Sequence, residues 1–86
     1  MTSYRLEISA SAEKQLRGLP PADQVRVLRA ARQLGVEPYP QGCRKLVGYQ
    51  DVFRVRVGRY RVIYSVDNKR IVVIVLKIGH RKDIYR

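Results

Sequence analysis

The sequence predicts an α+β fold: a mainly antiparallel four-stranded sheet with an N-terminal helical hairpin packed on one face, in the order β-α-α-β-β-β. Three observations lead there. Phe53 to Tyr64, FRVRVGRYRVIY, alternates apolar and basic residues on both sides of Gly58, the mark of two half-buried strands folded back on each other. Residues 71–78, IVVIVLKI, form an apolar run that suits a strand covered on both faces. Between residues 10 and 35, apolar positions recur at helical spacing in two runs divided by Gly18 and Pro20.

Tyr4 to Ile8 alternates apolar residues with Arg5 and Glu7 and suits a short opening strand. Ser9 offers an N-cap, and Ala12, Leu16 and Leu19 give the first helix one narrow apolar stripe over about nine residues. Pro21 suits the first turn of a second helix. There Val27, Leu28, Ala31 and Leu34 face one way, Arg26, Arg29 and Gln33 another, and Gly35 closes it. Helices with one apolar stripe each are marginal alone, so the pair has to pack on something apolar. Val36 to Gln50, with two prolines and two glycines, reads as a surface loop that Arg44, Lys45 and Leu46 interrupt.

With Gly58 and Arg59 as the two loop residues of a type II′ turn, Val57 pairs with Tyr60, Val55 with Val62 and Phe53 with Tyr64 on one face. Arg56 then lies opposite Arg61 on the other face, with Arg54 one step along. Like charges directly opposite destabilise a sheet, so the polar face is read as built to hold an anion, with phosphate the best fit. Asp67 to Arg70 is a polar turn into the apolar strand 71–78, which is expected to be central. Strict alternation along it would put His80 on the arginine face; a reset at Gly79, which turns Arg81 there instead, is expected.

The chain of 86 residues is expected to be a single domain, 1–86, with one core. Its net charge is +11, and residues 51–86 hold ten Lys or Arg against three Asp. That balance points to nucleic acid, or to an acidic protein, as partner. No apolar run approaches a membrane span and MTSYRLEIS lacks the apolar core of a signal peptide, so no membrane partner and a cytoplasmic location are expected. Cys43 is the sole cysteine, which excludes an internal disulfide and a zinc cluster. Asp51, Asp67 and Asp83 are too scattered for a metal-dependent nuclease, and no cofactor is expected.

The element order, the segment Gly58-Arg59-Tyr60-Arg61 leading into Val62-Ile63-Tyr64, and Gly79-x-Arg81 followed by Tyr85 resemble the RelE/ParE superfamily of toxin–antitoxin toxins, on the RelE side. The similarity spans essentially the whole chain. It implies a toxin of a type II system, an mRNA interferase that cuts mRNA in the ribosomal A site without a metal, the 2′-hydroxyl attacking the neighbouring phosphate. It implies Arg61 and Arg81 as phosphate-binding and transition-state arginines and Tyr85 as the catalytic tyrosine. Arg54, Arg56, His80 and Lys82 follow as contacts to RNA phosphate. Arg54 and Arg56 stand where the family often has lysine, and arginine stays charged, so there it can bind or polarise but not move a proton. The family also implies a cognate antitoxin, RelB-like, in a hetero-oligomer, and charge predicts that its wrapping segment is acidic.

In-line attack at phosphorus needs preorganised cations, a base for the 2′ proton and a donor to the leaving 5′ oxygen. Arginine forks meet the first need. For the base, Tyr85 beside Arg61, Arg81, Lys82 and Arg86 would have its phenolate favoured by their charge, and His80 is the alternative base or acid. A site this poor in acid–base groups leaves much of the rate to orientation of the RNA by the ribosome. Bland readings stand beside these. Arg59, Lys69 and Arg70 suit turn charges in solvent, Arg26, Arg29 and Arg32 the wet side of a helix, and Tyr4, Tyr60 and Tyr64 core or sheet positions. Tyr39 and Tyr49 suit either a base-stacking role or cover for the core. Two other functions compete: a ParE-like DNA gyrase poison, and a basic RNA-binding module without activity.

Overall fold

The computed structural model describes residues 3–80. In chain order they form β1 (Arg5–Ile8), α1 (Ala10–Arg17), α2 (Pro21–Val36), β2 (Arg44–Lys45), β3 (Val52–Val57), β4 (Tyr60–Asp67) and β5 (Val72–His80). The strands make one mixed sheet in the order β1-β5-β4-β3-β2, with β1 parallel to β5 and every other pair antiparallel.

The hairpin has the register that its alternation requires. Val57 pairs with Tyr60, Arg56 with Arg61, Val55 with Val62 and Phe53 with Tyr64. Gly58 has φ of +60° and Arg59 does not share the left-handed region, the signature of a II′ turn. Ser9 caps α1, its Oγ accepting from the Ala12 N–H at 3.0 Å. Gln24 closes the corner between the helices, its Nε2 donating to the carbonyls of Leu19 at 2.7 Å and Arg17 at 3.2 Å. Both helices lie on one face of the sheet. There Ala12, Val27, Ala31 and Leu34 meet Val62, Tyr64, Val73 and Val75 in the core, these eight all 2% exposed or less.

Three expectations need correction. The sheet has five strands, because Arg44 and Lys45 pair with Arg54 and Phe53 inside the stretch read as loop. Two residues are too few for alternation to show, yet they cover the outer edge of β3, whose N–H and C=O groups would otherwise stand open. The apolar strand starts at Val72, since Ile71 has φ of +58° and belongs to the turn, where the Asp67 carboxylate accepts from the Lys69 and Arg70 N–H groups. It lies between β1 and β4, interior in the sheet as its apolar run requires.

The third concerns the reset in β5, which occurs before Gly79. Ile63 pairs with Lys77 and Tyr64 with Val75, so Leu76 is an extra residue in a β-bulge. Beyond it, Ile78 and His80 pair with Val62 and Tyr60 on the helix-covered face, while Lys77 and Gly79 pair with Ile63 and Arg61 on the open face. Among the described residues no helix is long and apolar enough to cross a membrane.

Candidate nucleic-acid interface

The open face near the hairpin turn is laid out by strand register, since paired residues in adjacent strands point the same way. The row next to the turn runs Arg56, Arg61, Gly79 across β3, β4 and β5. The next row runs Arg44, Arg54, Ile63, Lys77 across β2 to β5. Five cations and no carboxylate occupy these two rows. Glu7, Glu13 and Asp67 pair instead with Arg5 at 3.3 Å, Arg17 at 2.6 Å and Arg70 at 3.9 Å, all outside them. Arg56, Arg44 and Lys77 are exposed; Arg54 and Arg61 are half-buried, and the Nε of Arg61 is shielded from solvent. Half-burial holds a guanidinium in place and lowers the local dielectric, which strengthens its attraction for an anion.

Of the residues singled out in the sequence, Arg54, Arg56 and Arg61 therefore come together on the uncovered face. Arg81, Lys82 and Tyr85 lie outside the described residues. His80 ends β5 on the other side of the sheet, its ring edge-on to Tyr60 with centroids 6.2 Å apart. There the Tyr60 hydroxyl donates to Asp23 Oδ2 at 2.7 Å. That hydrogen bond, helped by burial, raises the Tyr60 pKa above its ordinary value, so the phenol stays protonated.

Arg44 and Lys77 belong to the cationic face although the sequence did not mark either as a site residue. A two-residue strand carries no periodic signal, and the bulge that turns Lys77 outward has no signature in IVVIVLKI. The charges read as solvated, at Arg26, Arg29, Arg32, Arg59, Lys69 and Arg70, are all exposed. Tyr39 serves the fold: its ring packs edge-on to Phe53 at 5.2 Å and its hydroxyl accepts from Asn68 Nδ2 at 3.1 Å. Tyr49 is 64% exposed. Among the described residues no three of His, Cys, Asp and Glu gather to hold a metal ion.

A face with these parts can bind the phosphates of a nucleic-acid strand and polarise one of them. Related chains share the fold. The family model described as the ParE toxin of type II toxin-antitoxin system, parDE, matches residues 6–85. Toxin RelG of Mycobacterium tuberculosis is 34% identical over 87 residues, covering 96% of this chain and 97% of RelG. A chain in the crystal structure of the archaeal RelE-RelB complex from Pyrococcus horikoshii OT3 superposes with a TM-score of 0.82 at 40% identity, over 96% of this chain and 99% of that one. In the toxin-antitoxin complex RelBE2 of Mycobacterium tuberculosis the TM-score is 0.81 at 28% identity, over 92% of this chain and 99% of that one. A chain with this sheet, this helical hairpin and this sequence likeness belongs to the RelE/ParE superfamily of type II toxin–antitoxin toxins.

Proposed function

We propose that this toxin is a ribosome-dependent endoribonuclease that cuts mRNA in the A site and so stops translation. The observation that carries the reading is the direct pairing of Arg56 with Arg61 on the face that the helices leave uncovered. Opposed arginines weaken a sheet, and an RNA phosphate between them would turn that repulsion into binding.

In this scheme Arg54 and Arg56 grip the strand while Arg61 and Arg81 meet the charge that builds on the non-bridging oxygens. The 2′-oxygen attacks phosphorus in line, the bond to the 5′ oxygen breaks, and a 2′,3′-cyclic phosphate and a 5′-hydroxyl result. Tyr85 takes the 2′ proton, its phenolate favoured by the neighbouring Arg81, Lys82 and Arg86, and water supplies the proton that the leaving 5′ oxygen gains. The position of His80 on the Tyr60 side of the sheet favours Tyr85 as the base and limits His80 to the rim, with Lys82 as a further phosphate contact. The ribosome supplies the orientation that so few acid–base groups cannot.

A cognate antitoxin with an acidic segment over the cationic face completes the proposal. The complexes of the Pyrococcus and Mycobacterium relatives and the charge of +11 support it. The matching family description names ParE, which keeps a gyrase poison as the second reading. Induction in cells with mapping of transcript 5′ ends separates them. Breaks within translated codons are expected; intact transcripts with broken chromosomal DNA would overturn the nuclease reading.

A further inference from the structure

Building on the RNA-binding reading above, we propose that Arg44, Arg54 and Lys77 form a second anion-binding row that holds the phosphate next to the one at Arg56 and Arg61, with Gln15 as the positioning residue that turns Lys77 into it. The two rows are two residues apart along β3, β4 and β5. At about 3.3 Å per residue the rows lie about 6.6 Å apart, comparable with the separation of successive phosphates in an extended strand. Within the row, half-buried Ile63 stands between Arg54 and Lys77 and forms an apolar floor. Strands sit about 4.8 Å apart, so the backbones of Arg54 and Lys77 are separated by about 10 Å, and two long side chains can close on one phosphate above that floor.

Lys77 reaches this face only because of the bulge. Unbroken alternation from the buried Val75 would send Lys77 under the helices and Ile78 into solvent; with Leu76 inserted, Lys77 is exposed and Ile78 is 2% exposed. A bulge leaves backbone groups off the ladder, and α1 meets them. Gln15 Oε1 accepts from the Ile78 N–H at 2.7 Å, and Ser9 Oγ donates to the Leu76 carbonyl at 3.1 Å. A side chain from the opposite face of the sheet thus holds the phase of β5 where it passes the arginines.

The test is binding of a fluorescent single-stranded oligoribonucleotide, protected from cutting by 2′-O-methyl groups, followed by anisotropy over a series of salt concentrations. Lys77→Ala and Arg44→Ala should each weaken binding several-fold whatever the base sequence. Each should lower the slope of log affinity against log salt by about 0.7, the single-strand value for one phosphate contact. Lys69→Ala, in the β4–β5 turn, should change neither. Gln15→Leu should reproduce the slope of Lys77→Ala and add nothing in the double variant. If Arg61→Ala weakens binding while Lys77→Ala does not, the second row is overturned and the RNA reading stands. If Arg61→Ala also binds like the parent, the RNA reading goes as well. A Lys69→Ala loss equal to that of Lys77→Ala would make the effect one of charge alone and overturn the row. A parental slope for Gln15→Leu would end its positioning role.

Discussion

Arg56 and Arg61 set the terms at the scale of the residue, since each worsens the fold by facing the other. Arg56→Thr should therefore raise the unfolding free energy by about 0.2–1 kcal/mol in urea titrations while it weakens RNA binding. Lower stability would mean that the pair is not repulsive in place. Arg61→Ala should cut A-site cleavage by about 100- to 1,000-fold, the effect of losing one preorganised donor, with the fold retained by circular dichroism. Parental cleavage would remove Arg61 from the site. Tyr64 is the contrasting case of a polar atom spent on the fold. Its hydroxyl donates to the Pro38 carbonyl at 2.8 Å, and burial pushes its pKa far above the usual value of about 10. The folded chain keeps this proton where the unfolded chain loses it. The contribution to stability is whole below about pH 10 and falls above it, with a slope approaching about 1.4 kcal/mol per pH unit. Tyr64→Phe should be less stable at neutral pH by about 1–3 kcal/mol and lack that share of the alkaline slope in melts from pH 8 to 12. An identical slope in both proteins would show that Tyr64 ionises as readily folded as unfolded.

At the scale of the element, the hairpin was legible residue by residue, because period-2 alternation and a two-residue turn around Gly58 leave one register that buries every apolar side chain. The strand β2 and the bulge at Leu76 were not legible. Each depends on a partner distant in sequence: the edge of β3 for Arg44, and Ser9 and Gln15 of the α1 region for the bulge. The joint of β1 with α2 is a similar long-range device. The Tyr4 N–H donates to the Gly35 carbonyl at 2.8 Å, and a Cβ at Gly35 would come within 3.0 Å of the Tyr4 carbonyl oxygen. Gly35→Ala should cost about 1–3 kcal/mol in chemical denaturation, the scale of overpacking, although alanine is the better helix former. A more stable variant would mean that the joint yields without strain.

The whole molecule separates two jobs between two faces of one sheet, with apolar packing against the helices on one side and cations on the other. A toxin–antitoxin complex made over the cationic face should lose affinity steeply as salt rises, measured by calorimetry from low to high ionic strength. An affinity indifferent to salt would place the antitoxin elsewhere. The sequence by itself determined the fold class, the hairpin register and the presence of Arg54, Arg56 and Arg61 on one face, because alternation, caps and turn residues are local and repeat over many positions. Only the tertiary structure decided that Arg44 joins them, that Lys77 turns outward and that His80 turns away. Those placements rest on hydrogen bonds between segments up to 67 residues apart, Ser9 to Leu76 and Gln15 to Ile78 among them, and no local pattern encodes where such a bond will fall.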